Sequence, residues 1–166
     1  MKIPLVELSI ATRDGQFIAR YSEKGLAELN FPKAKRTPPR TAKKEKVPAR
    51  VSGWHRTTTA ALKAVLAGEK PKHLPPFHVS GTEFQKGVWN ALRKIAPGKT
   101  RSYGEIAQTI GRPKAVRAVG GACGANPIPV LVPCHRVLAA NKKLGGFSGG
   151  LDWKRKLLAQ EGVPFR

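Results

Sequence analysis

The sequence has little that would hold a metal ion or form a disulfide framework. Its 166 residues contain only two cysteines, Cys123 and Cys134, and its four histidines are scattered without the short spacings of metal ligands. One disulfide between the two cysteines stays open, but so low a count is more typical of free thiols in a reducing compartment. The sequence therefore predicts no bound metal.

Long apolar runs and acidic residues are also scarce. No apolar run reaches the length of roughly 18 residues that a membrane-spanning helix needs, and no secretory signal is recognisable. Only 10 Asp and Glu stand against 31 Lys and Arg, which gives a formal net charge of +21. Each cation placed on a phosphate releases condensed counterions, so this excess favours a polyanionic partner. We expect a soluble intracellular protein that binds nucleic acid.

The first part of the chain reads as a small antiparallel meander. The turn signals Asp14-Gly15 and Lys24-Gly25 separate three stretches with strand-like alternation. These predicted strands cover residues 3–10, 16–22 and 26–31. A short helix is predicted over residues 57–66, and the Pro-rich stretch at 69–77 predicts a boundary between two lobes, 1–76 and 77–166.

Residues 32–50 differ in character from their surroundings. They hold eight Lys or Arg, one Glu and four Pro, with almost nothing to bury. Such a composition predicts a flexible insert rather than a core element. A solvated basic linker and an arm that contacts DNA are equally compatible with it.

The second lobe shows clearer helix signals. Thr82 and Ser102 each stand three residues before Gln or Glu, the pattern of a capping box. Pro113 is expected in the first turn of a later helix, with Val116 facing the core. Residues 128–132 form an apolar run bracketed by prolines, which predicts a rigid strand-like segment. Asp152 is expected to cap the last helix.

Two of these predicted helices, over residues 103–110 and 113–122, are joined by Gly111-Arg112 and resemble a helix-turn-helix. The second carries Lys114 and Arg117 among small residues, which let a backbone approach a groove wall while a long cation projects beyond it. The small residues are Ala115, Ala118, Gly120, Gly121 and Ala122. Packing against another helix is the alternative, and the net charge favours nucleic acid.

Cys134 is the candidate nucleophile, because it follows the apolar run directly and precedes His135 and Arg136. A thiol reacts as thiolate, which needs a nearby base, cation or helix N-terminus. Neighbouring side chains of an extended segment point apart, so contact between Cys134 and His135 is not assured, and such a pair alone is more often structural. Cys123, with no histidine near it in sequence, is interpreted as a packing thiol.

Together these residues resemble the O6-alkylguanine-DNA alkyltransferase family. The resemblance covers residues 84–161 and includes FQKGVWNAL, SYGEIAQTIGRPKAVRAVGGA, NPIPVLVPCHRV and GGFSGGLDWKRKLL. It implies a small ribonuclease-H-like α/β lobe, followed by a mostly helical C-terminal domain with a winged-helix-like helix-turn-helix. It also implies a single-turnover methylated-DNA–protein-cysteine methyltransferase that repairs DNA by direct reversal, without a cofactor.

The resemblance also implies roles for the residues around the acceptor, Cys134. His135 would take its proton through a water molecule, and Glu161 would orient and stabilise the imidazole. Asn126 would tie the recognition helix to the active-site segment. Tyr103 would crowd the 3′ phosphate and donate a proton to guanine N3.

The implied partner is double-stranded DNA that carries O6-alkylguanine, or O4-alkylthymine, bound through its minor groove by a monomer. Arg117 would fill the place of the flipped nucleotide, and Lys114, Ala115 and Ala118 would lie along the groove. Ser148 would donate towards O6, the carbonyls of Cys134 and Val137 would accept from the exocyclic amine, and Pro129 and Phe147 would line the alkyl pocket. Gly145 and Gly146 leave a roomy loop, which hints at tolerance of larger alkyl groups.

Three other interpretations compete with repair. A relative that binds and flags alkylguanine without repairing it would lack the acceptor cysteine, which is present here. A cysteine hydrolase needs an oxyanion hole, for which the sequence gives no sign. A helix-turn-helix regulator would be expected to carry an effector domain or dimerisation heptads. The implied location is the cytoplasm and nucleoid of a prokaryote, or the nucleus of a eukaryote.

Overall fold

The structure is a computed structural model that describes residues 5–33 and 46–166. Residues 5–33 contain an antiparallel sheet of three strands in the order β1-β2-β3. The strands are β1 (Val6–Thr12), β2 (Gly15–Ser22) and β3 (Gly25–Asn30). The predicted meander is thus confirmed, with the first strand starting at Val6. The central strand β2 supplies fully buried side chains, Phe17 and Tyr21 among them.

Helix α1 (Ala49–Leu66) is longer than predicted and starts eight residues earlier than residue 57. Tertiary contacts explain the difference. Val51 is buried in the core, and His55 Nδ1 lies 2.8 Å from the hydroxyl of Tyr21 on β2. These contacts hold the first turns of the helix, which show no clear apolar period in the sequence. Most of the predicted basic insert, residues 34–45, lies outside the described residues, and its last two residues belong to α1.

Residues 77–166 contain most of the helices. They are α2 (Glu83–Leu92), α3 (Tyr103–Thr109), α4 (Val116–Gly124) and α5 (Leu151–Gln160). Both predicted capping boxes are present, with Thr82 and Ser102 each accepting from the backbone of the third helical residue. Within the described ranges, no helix is long and apolar enough to cross a membrane.

The start of α4 differs from the prediction. Pro113 lies in the connection rather than in the first helical turn, because Gly111 adopts a positive φ of 73° and Ala115 N bonds to Arg112 O, closing a separate turn. The helix then begins at Val116, whose side chain is 41% exposed instead of facing the core. Two successive helices are therefore present, and their identity as a helix-turn-helix stays a prediction.

The prediction of a strand-like segment at residues 128–132 is wrong. The chain folds into a turn there, with Val130 at a φ of 75° and Val132 N bonded to Ile128 O at 2.9 Å. The segment is rigid for another reason, since its side chains are almost fully buried. The prediction that Asp152 caps α5 is also wrong, because the N-cap position belongs to Gly150, with a φ of 93°.

A short parallel pairing connects the two parts of the chain on which the site is built. Strand β4 (Arg101–Ser102) pairs with β5 (Val137–Leu138). The first strand directly precedes α3, and the second directly follows the 3-10 turn Cys134–Arg136. This pairing brings the start of α3, with Tyr103, alongside the turn that carries Cys134.

Candidate active site

Cys134 opens the 3-10 turn Cys134–Arg136 and is buried, at 3% exposed. It contributes to the wall of a cavity of about 470 Å³ between α4, the start of α3 and the loop before α5. The other lining residues are Tyr103, Gly120, Cys123, Gly124, Gly146, Phe147 and Ser148. The candidate nucleophile thus faces a cavity large enough for a small organic group, in the range of about 300–1,000 Å³.

His135 and Glu161 form a buried pair beside this cysteine. His135 Nε2 lies 3.0 Å from Glu161 Oε1, and the two side chains are 0% and 1% exposed. Because Nε2 donates to the carboxylate, Nδ1 of the neutral ring is left as the acceptor. This Nδ1 atom has no hydrogen-bond partner among the described residues. Burial lowers the pKa of His135, although Glu161 opposes the shift, so the ring is neutral at pH 7 and able to take a proton.

Arg136 holds Glu161 in place rather than acting on the thiol directly, as its sequence position had indicated. Its Nε and Nη2 atoms donate to the carboxylate at 2.6 to 3.1 Å, and Nη1 donates to Ile95 O at 2.7 Å. Burial of Glu161 opposes ionisation, yet the hydrogen bonds from His135 and Arg136 lower its pKa to about 2. The carboxylate is therefore charged and fixed at neutral pH.

Asn126 connects the end of α4 to the segment that precedes Cys134. Its Nδ2 donates to Val132 O at 2.9 Å, and its Oδ1 accepts from Ile128 N at 3.0 Å. Both bonds are buried and fix the turn at residues 128–132. Burial raises the pKa of the Cys134 thiol, while a hydrogen bond from Asn126 and the charge of Lys154 lower it. The resting group is consequently a protonated thiol.

Lys154 is a candidate site residue that sequence reasoning missed. It lies on α5, is fully buried, and donates from Nζ to Val137 O at 2.8 Å and Gly146 O at 3.1 Å. Burial lowers the pKa of Lys154 to about 8, with Cys134 and Cys123 opposing the shift. The ammonium is therefore still mostly charged at pH 7. A signal existed in the sequence, since residue 154 shares one helical face with the apolar residues 157 and 158.

Tyr103 begins α3 and lines the same cavity. Burial raises the pKa of its phenol to about 12, and the buried thiols add to the shift. The hydroxyl therefore keeps its proton at neutral pH and can donate it. A Cβ at Gly145, which has a φ of 67°, would lie 3.0 Å from this hydroxyl. Glycine at that position allows the loop to close over the tyrosine.

The predicted pocket residues divide between two places. Phe147 and Ser148 line the cavity of Cys134. Pro129 lines a neighbouring cavity of about 400 Å³, to which Ser148 also contributes. The carbonyl of Val137, expected to accept from the guanine amine, already accepts from Lys154, which leaves one lone pair for a further donor.

Cys123 is not only a packing thiol. It is buried in the core, as predicted, but it also lines the cavity of Cys134. Burial raises the pKa of Cys123 to about 12, so this residue stays a neutral thiol. Cys134 differs from it in having the buried His135 as its neighbour in the chain.

The outer face of α4 and of the residues just before it carries basic and small side chains and is exposed to solvent. Lys114, Arg117 and Ala118 are exposed and Ala115 is half-buried. A Cβ added at Gly120, Gly121 or Gly124 would meet nothing within 4 Å. Tight packing against another described element therefore does not explain these glycines. It does hold for Ala122, which is buried and whose carbonyl accepts from Trp89 Nε1 of α2 at 2.8 Å.

Comparisons with known proteins agree on one family. The family model described as "6-O-methylguanine DNA methyltransferase, DNA binding domain" matches residues 83–163. A methylated-DNA–protein-cysteine methyltransferase of Methanosarcina acetivorans is 46% identical over 89% of this chain and 92% of that protein.

Solved structures give the same result for the fold. The OGT protein of Mycobacterium tuberculosis in complex with DNA is 40% identical, with a TM-score of 0.77 over 94% of this chain and 92% of its own. An O6-methylguanine DNA methyltransferase from Methanococcus jannaschii is 28% identical, with a TM-score of 0.70 over 96% and 95% of the two chains.

Proposed function

The chain belongs to the methylated-DNA–protein-cysteine methyltransferase family, and we propose that it repairs O6-alkylguanine in DNA by moving the alkyl group onto its own Cys134. The observation that supports this proposal is that the buried Cys134 lines a cavity and that the next residue, His135, is hydrogen-bonded to the buried carboxylate of Glu161. Transfer of a methyl group from methylated DNA to a protein cysteine is the activity that its relatives are named for.

Activation of the thiol needs a base that is neutral at rest. Neutral His135 presents Nδ1 as an acceptor, and a water molecule between Cys134 and this atom would carry the proton across. The imidazolium that forms is stabilised by the charged Glu161, which Arg136 holds in position. This division into nucleophile, base and orienting carboxylate is the general logic of activated nucleophiles.

The transfer step is a displacement at carbon. The sulfur of Cys134 forms a bond to the alkyl carbon while the bond from that carbon to O6 breaks, and the electron pair leaves with guanine. Tyr103, protonated because its pKa is about 12, donates a proton to N3 and neutralises the leaving group. Ser148 would donate towards O6. The product is a thioether, which no group of the site hydrolyses, so each molecule acts once.

The alkylated base must leave the duplex to reach Cys134, because the thiol is buried, at 3% exposed, in the wall of a cavity. The open face of α4 is the surface we assign to DNA, with Arg117 entering the minor groove and Lys114, Ala115 and Ala118 beside it. The OGT protein of Mycobacterium tuberculosis was solved with DNA, which supports a DNA partner for this chain. We assign DNA binding and transfer to residues 77–166 and a supporting role to residues 1–76, and place the protein on the genome, in a prokaryotic cytoplasm or a eukaryotic nucleus.

Intact-protein mass spectrometry after incubation with a duplex that contains one O6-methylguanine tests the proposal. We expect the mass to rise by one methyl group, mapped to Cys134, with one transfer per protein molecule. An unchanged mass with retained binding to the modified duplex would support a protein that only flags the lesion.

The variant Cys134→Ser is the matched control for this experiment. It should transfer nothing, because a serine hydroxyl is far harder to ionise than a thiol, yet it should bind the duplex with nearly the affinity of the wild type. Loss of both transfer and binding, measured by fluorescence anisotropy, would mean that Cys134 has a structural role.

A further inference from the structure

Cys123 is a buried thiol at the cavity of Cys134 to which the proposed transfer gives no task. Both cysteines are free, and both contribute to the wall of the cavity of about 470 Å³. Cys123 lies in the last turn of α4, whereas Cys134 opens the 3-10 turn that follows the buried segment at residues 128–132. Two thiols from different parts of the chain therefore face the same cavity.

Asn126 contacts both cysteines. Its backbone N–H donates to Cys123 O at 3.3 Å, and its side chain is hydrogen-bonded to the thiol of Cys134. The end of α4 is fixed from the other side by Trp89, whose Nε1 donates to Ala122 O at 2.8 Å. Because one residue joins the two cysteines and hydrogen bonds hold the backbone around them, the thiols are lasting neighbours in the fold.

The two thiols also act on each other electrostatically. The pKa of Cys123 is raised to about 12 by burial and by the charge that Cys134 carries as a thiolate, while Lys154 lowers it. Lys154 lowers the pKa of Cys134 as well, against the effect of burial. Conversion of Cys134 into an uncharged group removes its repulsive contribution, so Cys123 then ionises more easily than before.

We propose that a peroxide oxidises Cys134 to a sulfenic acid and that Cys123 converts this group into a disulfide between the two residues. Thiols reduce a disulfide, whereas further oxidation of a sulfenic acid to sulfinic or sulfonic acid is irreversible without a dedicated enzyme. The chemistry itself needs only the two thiols and the peroxide. Its consequence, the protection of an acceptor that each molecule can use once, rests on the proposed function.

The two steps balance with hydrogen peroxide as the oxidant. The sulfur of Cys134 attacks one peroxide oxygen, the O–O bond breaks, and the proton of the thiol, taken up by His135, passes to the leaving oxygen to give water. The sulfur of Cys123 then attacks the sulfur of Cys134, and the departing hydroxide takes up the proton of Cys123 as a second water. The two thiols lose two electrons, which the peroxide gains.

The test treats the full-length wild type with a small excess of hydrogen peroxide, followed by intact-protein mass spectrometry and peptide mapping without reduction. We expect the mass to fall by two hydrogen atoms and one pair of peptides to be joined through Cys123 and Cys134. Oxygen added to Met1, the single methionine, is assigned by the same map. A map in which Cys134 carries oxygen atoms and no joined pair is found would overturn the inference.

Reversibility is measured on the same samples. Methyl transfer from a duplex with O6-methylguanine should be lost in proportion to the joined fraction and should return after treatment with dithiothreitol. Activity that stays lost although the joined pair has been reduced would contradict a protective role. The proposed function fails separately, because it concerns methyl transfer by protein that has never met peroxide.

Cys123→Ala removes the second thiol and leaves Cys134 in place. In this variant we expect Cys134 to gain two or three oxygen atoms, and the loss of transfer to persist after dithiothreitol. Each rate is compared with that of the untreated variant, so that any effect of the substitution on the cavity cancels. Recovery as complete as in the wild type would show that Cys123 does not protect the acceptor.

Cys134→Ser is the matched control for the order of the two steps. Cys123 is then the remaining thiol, and because its pKa is about 12 we expect peroxide to leave it unmodified. Oxygen found on Cys123 in this variant would overturn the proposed order. Where Cys123→Ala does not fold, the joined peptides of the wild type and their reduction decide the proposal.

Discussion

The buried ionisable side chains around Cys134 differ in the charge that their surroundings favour. His135, Lys154 and the Glu161 side chain are at most 1% exposed. Burial keeps the imidazole neutral, whereas hydrogen bonds from His135 and Arg136 keep the carboxylate charged. Among the described residues, the hydrogen-bond acceptors of Lys154 are two carbonyl oxygens and no carboxylate, so its positive charge remains available to a thiolate at Cys134. The proposed base, orienting group and electrostatic stabiliser are thus separate residues.

Lys154→Met tests the electrostatic role, with free O6-benzylguanine as substrate so that DNA binding is not involved. At pH 7 we expect the transfer rate to fall about 10- to 100-fold, as one charged interaction is lost. The pKa of Lys154 is about 8, so the wild type itself loses this charge as the pH rises above 8. The ratio of wild-type to variant rates should therefore shrink at pH 9.5.

Lys156→Met is the control for this variant, since Lys156 lies on the same helix and pairs with Asp14 at the surface. Its rate should match the wild type at both pH values. A ratio for Lys154→Met that is the same at pH 7 and pH 9.5 would mean that Lys154 acts through packing alone.

Glu161 also makes the fold sensitive to acid. Its pKa is lowered from 4.5 to about 2 in the folded protein, so its contribution is complete above about pH 4.5 and is lost as the pH falls towards 2. A shift of this size corresponds to on the order of 3 kcal/mol. We expect urea unfolding to show a steeper loss of stability between pH 5 and pH 3 in the wild type than in Glu161→Gln. Parallel curves would contradict this assignment.

At the scale of elements, local signals in the sequence identify most of the fold and tertiary contacts decide the rest. The two capping boxes place α2 and α3 correctly, because their hydrogen bonds involve residues three apart. The first turns of α1 escape prediction, since they depend on a contact with Tyr21 on a distant strand. The turn before Cys134 is missed because Asn126 imposes it on an apolar run.

As with the fold, part of the site could be predicted from the sequence and part depends on tertiary contacts. The family resemblance names Cys134, His135 and Glu161, and the structure shows a hydrogen bond between His135 and Glu161 directly after Cys134 in the chain. The resemblance does not name Lys154, because the one signal for this residue is the helical face that it shares with residues 157 and 158, and a lysine is seldom fully buried. Pro129 and Phe147 line different cavities, and Phe31, which follows β3, contacts Phe147 and lines the cavity of Pro129, a contact that no local pattern reveals.

Arg117→Ala tests the role of α4 as the element that opens the duplex. The variant should react with O6-methylguanine in duplex DNA at least tenfold more slowly than the wild type, because nothing fills the place of the extruded base. Its rate with free O6-benzylguanine should change by less than twofold, since a free base needs no extrusion. Equal losses on both substrates, measured by single-turnover kinetics, would contradict the role.

The charge of the whole molecule is distributed so that the basic excess stays available to DNA. Of the 10 acidic residues, five pair with basic side chains of the fold. These are Glu7, Asp14, Glu28, Asp152 and Glu161. The exposed residues Lys114 and Arg117 of the α4 region are in none of these pairs. A net charge of +21 attracts the protein to the phosphates of DNA over long range, and we propose that α4 then orients it.

The salt concentration should therefore affect the affinity for DNA but not the rate of the transfer step. We expect the logarithm of the affinity for undamaged duplex to fall linearly with the logarithm of the salt concentration, with a slope of about −0.9 for each phosphate contacted. Lys114→Ala should reduce that slope by about one, whereas Lys63→Ala, on the exposed side of α1, should leave it unchanged. The transfer rate from free O6-benzylguanine should vary little over the same range, because Cys134 reacts in a cavity that salt hardly reaches. A slope that Lys63→Ala changes as much as Lys114→Ala would show that DNA is bound over the whole basic surface and not through the α4 face.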